Sequence, residues 1–451
     1  MAVFSIIQKS QLEGAKRLDA EYYQPEYLDL EKKLDSIETK TIDELSKSVV
    51  SFGAYSLTSY LEWQDSGVPY VNVGDIHEGY IDTSNIKHIS EKVDEILRKS
   101  RVNNGQVLLT MAGTIGNAAV AHNLPRSMNA NQAIAKITPI DDISPYYLVA
   151  FLNSKYGQLQ TQREIVSSVQ ANIFLGPIKK FRVPLFDKAS ASAIENKYRD
   201  FLKTLEHSQS LYAQAENLLL EQLGLKDFKA DEDLYSIVNF SEIKLASRMD
   251  AEYFQPKYEK LLEILKQSKP LIGLVKQAKR RAEIIPQKEY SYIEISDVNA
   301  GSGEVTSNSV LGKELPTNAK IKIEGGELLI SKVRPTRGAV TIIPMDWKKD
   351  FIASGAFSVF DVSYPMGEYL QIVLRSLIGK LQMERPTTGT SYPTITDADV
   401  EHILIPILPE KMQQKIAKLV RESHEARKKA KELLEEAKRK VEELIESKAI
   451  K

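Results

Sequence analysis

RLDAEYYQPEY at residues 17–27 and RMDAEYFQPKY at residues 248–258 are two versions of one segment. Eight of the eleven positions are identical, and the differences include Leu against Met and Tyr against Phe. The match extends upstream at the same offset, where FSII at 4–7 corresponds to YSIV at 235–238. Self-similarity at a fixed spacing is the signature of a repeat. The sequence therefore predicts a duplicated chain with two related halves.

Shorter landmarks recur in the two halves at an offset of about 222 residues. Four pairs of stretches correspond: PYVNVGDI (69–76) with SYIEISDV (291–298), NNGQVLLTMAGTIGNAAV (103–120) with EGGELLISKVRPTRGAV (324–340), YYLVAFLNS (146–154) with EYLQIVLRS (368–376), and FRVPLF (181–186) with ILIPIL (403–408). The third pair predicts short helices, and the other pairs predict strands separated by glycine-containing turns. Each half is therefore predicted to be a mixed α/β domain.

A long helix is predicted at the end of each half, with the same heptad register in both. The a and d positions are Ile194, Tyr198, Phe201, Leu205, Ser208, Tyr212, Ala215 and Leu219 in the first helix, and Ile416, Val420, Ser423, Arg427, Ala430, Leu434, Ala437, Val441 and Leu444 in the second. Both seams are narrow and contain small residues, which suits a close helix–helix contact. The segment GLKDFKADEDL (224–234) is expected to end the first helix at Gly224 and to connect the two copies.

The predicted fold class is α/β (α+β), with two repeated mixed domains, each followed by a long helix. If a pseudo-twofold axis relates the copies, the two helices pair as an antiparallel coiled coil. A helix of about 35 residues is about 50 Å long. The predicted boundaries are 1–186 for the first domain, with a variable part from about 40, 187–234 for the first helix and connector, 235–408 for the second domain, with a variable part from about 270, and 409–451 for the second helix.

The charge composition does not by itself indicate a nucleic-acid binder, since the formal net charge is -1. Residues 51–186 contain 12 basic and 11 acidic side chains, and residues 280–408 contain 14 basic and 16 acidic ones. Any DNA surface must therefore come from local placement of charge. The absence of cysteine fits a reducing cytoplasm. The first residues, MAVFSIIQKSQLEG, lack the basic region of a signal peptide, and we expect a cytoplasmic chain with no membrane span.

Catalytic motifs are missing from the sequence. A methyltransferase would need a glycine-rich S-adenosylmethionine loop and an Asn/Asp-Pro-Pro-aromatic motif, and neither occurs. There is also no P-loop, nucleophile elbow or paired-carboxylate signature. The six histidines form no i, i+4 pair and no HExxH motif, which argues against a metal site. We therefore expect no enzyme, no catalytic residue and no metal ligand in this chain.

The sequence resembles the specificity subunit of type I restriction–modification enzymes. The resemblance covers about 4–223 and 235–446 and rests on four features. These are the RxDAEYxQPxY segments, the PYVNVGDI-like strands, the G-x-LL-x(3–5)-T-x-G turns (Gly105 to Gly116, Gly326 to Gly338), and the proline-containing strand before each long helix (Pro184, Pro406, Pro409). PEKMQQKI (409–416) is close to a helix start found in many members, whereas FDKASASAI (186–194) is not. The first helix is therefore expected to start differently.

The resemblance implies a DNA-recognition subunit with no active site of its own. It implies a bipartite target in double-stranded DNA, with one variable domain for each half-site and the helices setting the spacing. It also implies two modification (methyltransferase) subunits and restriction (motor-nuclease) subunits as partners. S-adenosylmethionine, ATP and magnesium would then belong to those partners, and this chain would hold no cofactor. A coiled-coil adaptor of a multi-subunit defence complex that binds no DNA is the alternative.

Candidate DNA contacts are polar, basic or aromatic side chains in predicted turns and loops, where arginine suits guanine and asparagine or glutamine suits adenine. They are the turn residues Lys332, Arg334 and Arg337, the basic run Lys279, Arg280 and Arg281, the loop residues Arg385, Thr388, Thr390 and Tyr392, and their counterparts Arg163, Gln170 and Asn172 in the first half. Each group could instead be a solvated turn. The turns ending at Gly116 and Gly338 could cradle a phosphate through backbone N–H groups, or the glycines could serve only to make the turns tight.

Overall fold

The computed structural model describes residues 4–15, 17–51, 59–165, 171–229, 236–347, 350–389 and 391–449. It divides into unit 1, residues 1–205 with 428–451, and unit 2, residues 206–427. None of the helices in the described ranges is both long and apolar enough to cross a membrane.

Unit 1 contains six short helices and eleven strands in its described part. The helices are α1 (Lys9–Ala15), α2 (Pro25–Asp35), α3 (Glu91–Ile96), α4 (Pro145–Asn153), α5 (Lys155–Glu164) and α6 (Leu175–Lys179). The strands are β1 (Thr39–Thr41), β2 (Ser46–Val50), β3 (Val68–Val71), β4 (Ile76–His77), β5 (Tyr80–Ile81), β6 (Lys87–Ile89), β7 (Val107–Thr110), β8 (Ala118–Val120), β9 (Asn129–Ala130), β10 (Ile134–Pro139) and β11 (Arg182–Pro184).

The strands of unit 1 form small sheets around one main core. An antiparallel sheet has the order β2-β10-β7-β8, and a second sheet, β6-β3-β9, contains the parallel pair β3–β9. Strands β1 and β11 pair, as do β4 and β5. All four residues of β7 are buried, and the wholly apolar face of α4 contributes Phe151 to the same core as Leu109 and Ala135. The four-stranded sheet and α4 therefore form the framework of this unit.

Unit 2 contains five short helices and ten strands in its described part. The helices are α8 (Phe240–Ala246), α9 (Pro256–Ile264), α10 (Met366–Arg375), α11 (Leu377–Glu384) and α12 (Asp397–Glu401). The strands are β12 (Lys269–Pro270), β13 (Lys276–Gln277), β14 (Glu289–Ile293), β15 (Asn308–Leu311), β16 (Ala319–Ile323), β17 (Leu328–Ser331), β18 (Val340–Ile342), β19 (Phe351–Ser354), β20 (Phe357–Asp361) and β21 (Leu404–Ile405).

Unit 2 repeats the antiparallel four-stranded sheet of unit 1 and resembles it in its smaller sheets. Its antiparallel sheet β13-β20-β17-β18 corresponds strand for strand to β2-β10-β7-β8, and β12–β21 corresponds to β1–β11. The sheet β15-β14-β19-β16 again contains a parallel pair, β14–β19. Helix α10 packs on β18 as α4 packs on β8. The prediction of two repeated mixed α/β domains is confirmed.

The duplicated RxDAEYxQPxY segment adopts the same structure in both units. The guanidinium of Arg17 forms a two-point ion pair with Asp19, and Arg248 does the same with Asp250, at 2.5 to 2.9 Å. The following AEYY and AEYF residues form one turn of 3-10 helix. The proline of each segment then occupies the first turn of α2 or α9, where its fixed φ suits a helix and its missing N–H is not needed. The residues that are identical in the two copies therefore include those that form and end this turn of 3-10 helix.

Two long helices, α7 (Lys188–Gln222) and α13 (Glu410–Ala449), contribute residues to both units. In unit 1, Lys197 of α7 forms a 2.6 Å ion pair with Glu436, while Phe186, just before α7, lies beneath Lys448 near the end of α13. In unit 2, the hydroxyls of Ser208 and Ser423 each donate to the other residue's backbone oxygen at 2.8 Å. The predicted antiparallel pairing is confirmed.

The predicted seam of the helix pair is the buried one. Its buried members are Ile194, Tyr198, Phe201, Leu205, Ser208, Ala215 and Leu219 in α7, and Ile416, Val420, Ser423, Ala430, Leu434, Ala437 and Val441 in α13. Tyr212, Arg427 and Leu444 are partly exposed. Because serine is short and carries a hydroxyl, the Ser208–Ser423 pair allows close approach of the helices while satisfying its own hydrogen bonds.

The two long helices begin differently, as the departure from the family pattern predicted. At the start of α7 the carboxylate of Asp187 accepts hydrogen bonds from the backbone and hydroxyl of Ser190, at 2.9 and 2.8 Å. The hydrogen bonds from Ser190 lower the pKa of Asp187. Helix α13 instead follows Pro409, whose backbone oxygen accepts from Gln413 at 3.1 Å. At the other end of α7, Gly224 has a left-handed φ of +66° that ends the helix, as predicted.

Candidate nucleic-acid interface

The turn between β17 and β18 carries three of the predicted cations. The chain leaves β17 at Ser331, passes through one turn of 3-10 helix at Pro335–Arg337, and returns as β18. Arg334 and Gly338, on either side of this turn, both have left-handed backbone angles, with φ of +48° and +84°. A Cβ at Gly338 would lie 3.2 Å from the backbone oxygen of Ala300, so the glycine also permits close packing. The turn is therefore tight, and it presents Arg337 to solvent.

A second predicted segment, the loop around Tyr392, lies against this turn. Thr388 and Thr394 exchange backbone hydrogen bonds of 3.0 and 2.9 Å, which close the loop. The backbone N–H of Arg334 donates to Pro393 at 2.7 Å, and its guanidinium carbon lies 4.4 Å from the centre of the Tyr392 ring. The Tyr392 side chain is 66% exposed. The structure thus brings together two candidate segments that are far apart in sequence; Thr390 lies outside the described residues.

The basic run after β13 lines a shallow groove of about 410 Å³ in the same unit. Lys279 and Arg281 are exposed, and Lys320 of the neighbouring strand β16 and Lys332 of the turn line the groove as well. Arg280 lines the groove as well, but its guanidinium forms an ion pair with the buried carboxylate of Glu327. Five cationic side chains therefore share one surface, one of them neutralised by this ion pair. We refer to the turn 332–338, the loop 387–394 and this groove as the cationic face.

Asp397 is the acidic residue of the groove. The Nζ of Lys332 lies 3.0 Å from both of its carboxylate oxygens, and Ser358 also donates to it. Burial alone would raise the pKa of Asp397, but the hydrogen bonds from Ser358 and Lys332 outweigh burial and lower it. The carboxylate is therefore ionised near neutral pH, and it neutralises much of the charge of Lys332. Of the three turn cations, Lys332 is consequently the one with the least charge to offer a ligand.

Arg163 and Arg385 occupy equivalent places in the two units and are held by their own chain. Arg163 donates from Nε to the backbone oxygen of Tyr22 at 3.0 Å, stacks 4.0 Å from its ring centre and forms an ion pair with Glu31. Arg385 makes the same three kinds of contact, with the Tyr253 backbone at 3.3 Å, the Tyr253 ring at 4.6 Å and Glu259 at 2.6 Å.

Each of these two arginines attaches the duplicated segment to the rest of its own unit. The same tyrosine ring also contacts the arginine of the segment, with the guanidinium carbon of Arg17 4.6 Å from the ring centre of Tyr22 and that of Arg248 4.8 Å from the ring centre of Tyr253. Burial raises the pKa of Tyr22 to about 12. Since their donors are engaged inside the chain, Arg163 and Arg385 have structural contacts that the sequence did not reveal.

The corresponding turn of unit 1 carries no cation. Residues 111–117, between β7 and β8, read MAGTIGN. The Thr110 hydroxyl donates to the backbone oxygen of Thr114, and Gly113 and Gly116 have left-handed φ values of +68° and +94°. Asn172 lies beside this turn through a bridge to Ala112, equivalent to the bridge between Thr394 and Val333 in unit 2. Gln170 lies outside the described residues. The framework is therefore shared, while the chemistry of the turn differs.

Arg375, at the end of α10, supports the cationic face from below. Its guanidinium donates to the backbone oxygens of Gly338 at 2.6 Å, Ala300 at 3.0 Å and Gly301 at 2.7 Å. Its Nε donates to the hydroxyl of Tyr212 in α7 at 2.7 Å. The side chain is 6% exposed. This buried arginine therefore links the turn 332–338 and the 299–304 hairpin to helix α7, a role that no local sequence pattern indicated.

Two further groups were missed by the sequence interpretation. Lys320 was not singled out, although it alternates with apolar residues in AKIKI and so belongs on the solvent side of β16. In unit 1, the Nζ of Lys87 lies 4.5 Å from the ring centre of Trp63, which is 45% exposed. Strand pairing brings these two together through the bridge between Gln64 and His88. In the described ranges, no group of three or more His, Asp or Glu side chains is placed to hold a metal ion.

A duplicated α/β framework whose loops carry exposed cations and an exposed aromatic ring is the class of architecture expected of a DNA-recognition protein. The family model for the type I restriction modification DNA specificity domain matches residues 35–217 and 274–436. The chain belongs to this family. It is a specificity subunit whose role is recognition of DNA sequence, and it is not an enzyme.

Two known specificity subunits are similar in sequence to this chain, one over part of its length and the other over most of it. The type I restriction enzyme EcoBI specificity subunit of Escherichia coli is 28% identical over 123 residues, which cover 26% of this chain and 25% of that protein. The putative type I restriction enzyme MjaX specificity subunit of Methanocaldococcus jannaschii is 22% identical over 415 residues, which cover 88% of this chain and 91% of that protein.

Solved structures of the same kind also resemble this chain. The S subunit of a type I restriction-modification system from M. genitalium shares 15% identity and a TM-score of 0.39, covering 90% of this chain and 94% of that one. The HsdS subunit of Thermoanaerobacter tengcongensis shares 13% identity and a TM-score of 0.30, covering 92% of this chain and 96% of that one.

Proposed function

We propose that this chain reads a bipartite target in double-stranded DNA, with unit 1 and unit 2 each reading one half-site. The observation that supports this most directly is a shared framework with different turns. The strand order of the antiparallel four-stranded sheet is the same in both units, whereas the turn between β7 and β8 is neutral and the turn between β17 and β18 is cationic. Two copies of one framework with different exposed side chains suit a protein that must distinguish two different base sequences.

The charge distribution of unit 2 supports contact with the DNA backbone. The cationic face exposes four basic side chains: Lys279, Arg281, Lys320 and Arg337. Such a local group can bind phosphate even though the chain as a whole has no excess of basic residues. Exposed Tyr392 and the threonines of its loop add groups that can contact bases. The near-zero net charge of the chain is thus compatible with a local phosphate-binding surface.

We further propose that the chain assembles two modification subunits and the restriction subunits of its system in the cytoplasm. In this proposal S-adenosylmethionine, ATP and magnesium are bound by those partners. The absence of a methyltransferase or P-loop motif from this sequence supports that division of labour. We keep the domain limits predicted from the sequence, 1–186 and 235–408, with 187–234 and 409–451 as helical segments.

An exchange of one domain tests the assignment of one half-site to each unit. Residues 51–186 are replaced by the matching domain of a relative with a different target, and the methylated sequence is determined in host cells by methylome sequencing. We expect one half of the target to change and the other half to stay as it was. A change of both halves, or of neither, contradicts the proposal.

Binding measurements separate DNA recognition from the adaptor alternative. The complex with the modification subunits should retard duplex DNA, and the triple variant Lys332→Ala, Arg334→Ala, Arg337→Ala should lower the salt dependence by about one unit for each lost phosphate contact. The structure ranks Lys332 last among the three because Asp397 already pairs with it. Partner binding without any effect on DNA would support the adaptor instead. An unchanged salt slope would remove this turn from the interface.

A further inference from the structure

Arg334, which is partly exposed, is a firmly oriented cation of the cationic face. Its backbone N–H donates to Pro393 at 2.7 Å, and one guanidinium N–H donates to the backbone oxygen of Ser391 at 3.2 Å. The guanidinium stacks on Tyr392, with its central carbon 4.4 Å from the ring centre. Its backbone is left-handed, with φ of +48°. The guanidinium is therefore held in position before any ligand arrives.

The charge of Arg334 is not neutralised inside the described part of the chain. Arg163, Arg280 and Arg385 each form an ion pair with a glutamate. Arg334 forms no ion pair with any carboxylate among the described residues, and its one side-chain hydrogen bond goes to a neutral carbonyl. A guanidinium has five N–H donors. Four of the five therefore remain for an external acceptor.

We propose that Arg334 reads a guanine in the major groove of the half-site bound by unit 2, with Tyr392 holding the guanidinium in plane. The inference rests on the proposed DNA-reading function of unit 2. Guanine presents two acceptors, N7 and O6, side by side in the major groove, and a guanidinium can donate to both at once. Adenine offers N7 next to an amino group, which is itself a donor and cannot accept the second hydrogen bond.

The stacking on Tyr392 is what favours a base over a phosphate as the ligand. Phosphate oxygens can be met from many directions, so a flexible lysine or arginine suffices for them. A guanidinium that is stacked in one plane has already lost the freedom that such contacts exploit. It matches an acceptor pair that is itself planar, as in bidentate recognition. Arg337, three residues further along the turn, is exposed and has no such stacking partner in the described chain, so it suits a phosphate.

The experiment compares Arg334 and Arg337 variants in the assembled complex with the modification subunits. Arg334→Asn is the main variant, because asparagine tolerates a left-handed backbone and is too short to reach the base. Arg334→Gln has a second use, because glutamine suits adenine. Arg337→Asn is the matched control, since it removes the same charge from the same turn. Each complex is measured for binding to a randomised DNA library and for the methylated sequence in host cells.

The expected result is loss of a guanine requirement at one position of one half-site in Arg334→Asn. Discrimination at that position should fall by roughly 10- to 100-fold, the range of a bidentate arginine–guanine contact. Arg334→Gln should shift the preference there toward adenine. Arg337→Asn should weaken binding to all sequences alike and leave the target unchanged.

Two results would overturn the inference. Uniform weakening by Arg334→Asn, with the same base preferences, would make Arg334 a phosphate contact. An unchanged target and affinity would place it outside the interface. The fluorescence of Trp347 verifies that unit 2 is folded in each variant, and if Arg334→Asn does not fold, Tyr392→Ala tests the same prediction from the stacking side, with retained guanine discrimination refuting it. The proposed function fails separately, if the wild-type complex shows no bipartite target.

Discussion

Replacing Arg375 by methionine should unfold unit 2 at markedly lower denaturant concentration, because this side chain links three parts of the unit. It donates to Gly338 in the turn 332–338, to Ala300 and Gly301 in the 299–304 hairpin, and to Tyr212 in helix α7, at 2.6 to 3.0 Å. Methionine keeps most of the length and apolar contact of the side chain but makes none of these hydrogen bonds. The substitution therefore isolates the polar contribution.

The size of the effect follows from the four hydrogen bonds. A hydrogen bond to a charged group contributes about 1.5–3 kcal/mol, and a buried acceptor left without a donor costs about 1–3 kcal/mol. The sum is reduced because methionine need not be stripped of water as the guanidinium is. A net loss of about 3–5 kcal/mol is expected, as for other broken buried charged contacts. With a urea m-value of about 2–3 kcal/mol per M, the midpoint should fall by about 1–2 M.

The two tryptophans of the chain make the measurement specific to each unit. Trp63 lies in unit 1 and Trp347 in unit 2, where it stacks on Phe351 with ring centres 4.6 Å apart. In a Trp63→Phe background, urea unfolding followed by fluorescence reports unit 2 alone. In a Trp347→Phe background, the same experiment reports unit 1. The Arg375→Met substitution should move the first transition far more than the second.

Arg281→Met is the matched control, since it removes an exposed arginine from the same unit. It should change the free energy of unfolding of unit 2 by less than about 0.5 kcal/mol. Equal midpoints for Arg375→Met and the wild type would show that the guanidinium contacts do not stabilise unit 2. The inference that Arg375 stabilises the turn 332–338 would then be wrong.

Three further perturbations test the packing of the helix pair and of unit 1. Burial and the charges of nearby arginines lower the pKa of His424 to about 4, so as the pH falls the unfolded state takes up a proton at this histidine before the folded state does. The contribution of His424 to stability is complete above about pH 6.5 and should fall by up to about 3 kcal/mol toward pH 4. Equal pH dependence of stability in the wild type and in His424→Gln would contradict this. Ser423→Leu should overpack the helix contact and cost about 1–3 kcal/mol in urea unfolding, whereas leucine at the exposed Ser210 should cost little. Gly79→Ala should destabilise unit 1 by about 1–3 kcal/mol in the Trp63 signal, since φ is +87° and the new Cβ would lie 2.9 Å from the Phe201 ring; an unshifted midpoint would refute the tight packing there.

The fold was predictable because its signals are periodic and local. The repeat revealed the duplication, and the alternation in stretches such as SYIEISDV located β14. The heptad register depends only on residue spacing, and most of the positions it assigned, including Ser208 and Ser423, are buried. The helix end at Gly224 follows from the need for a left-handed residue. Apart from the repeat, which compares distant segments letter by letter, each of these inferences uses residues that are close in the sequence.

The candidate site was predictable in residue type but not in grouping. Basic side chains in a glycine turn drew attention to Arg334, yet its contact with Tyr392 joins segments 58 residues apart by the packing of the loop beside the turn. Arg163 and Arg385 look like loop cations in the sequence, because nothing local indicates that a tyrosine more than 130 residues away accepts their hydrogen bonds. Charge in a sequence does not show whether a partner carboxylate lies next to it.

The duplication separates the residues that hold each unit together from those that face DNA in the proposed function. The positions that stay the same in both copies, such as the arginine–aspartate pair of Arg17 and Asp19 and the tyrosine between two arginines, anchor the duplicated segment to its unit. The turn between the two central strands carries none of those anchors. Its residues can therefore change from Ile115 to Arg337 while the glycine that closes the turn keeps its left-handed backbone in both units. In the proposed function, a surface that can vary without cost to the core would allow one framework, present twice, to recognise two different sequences.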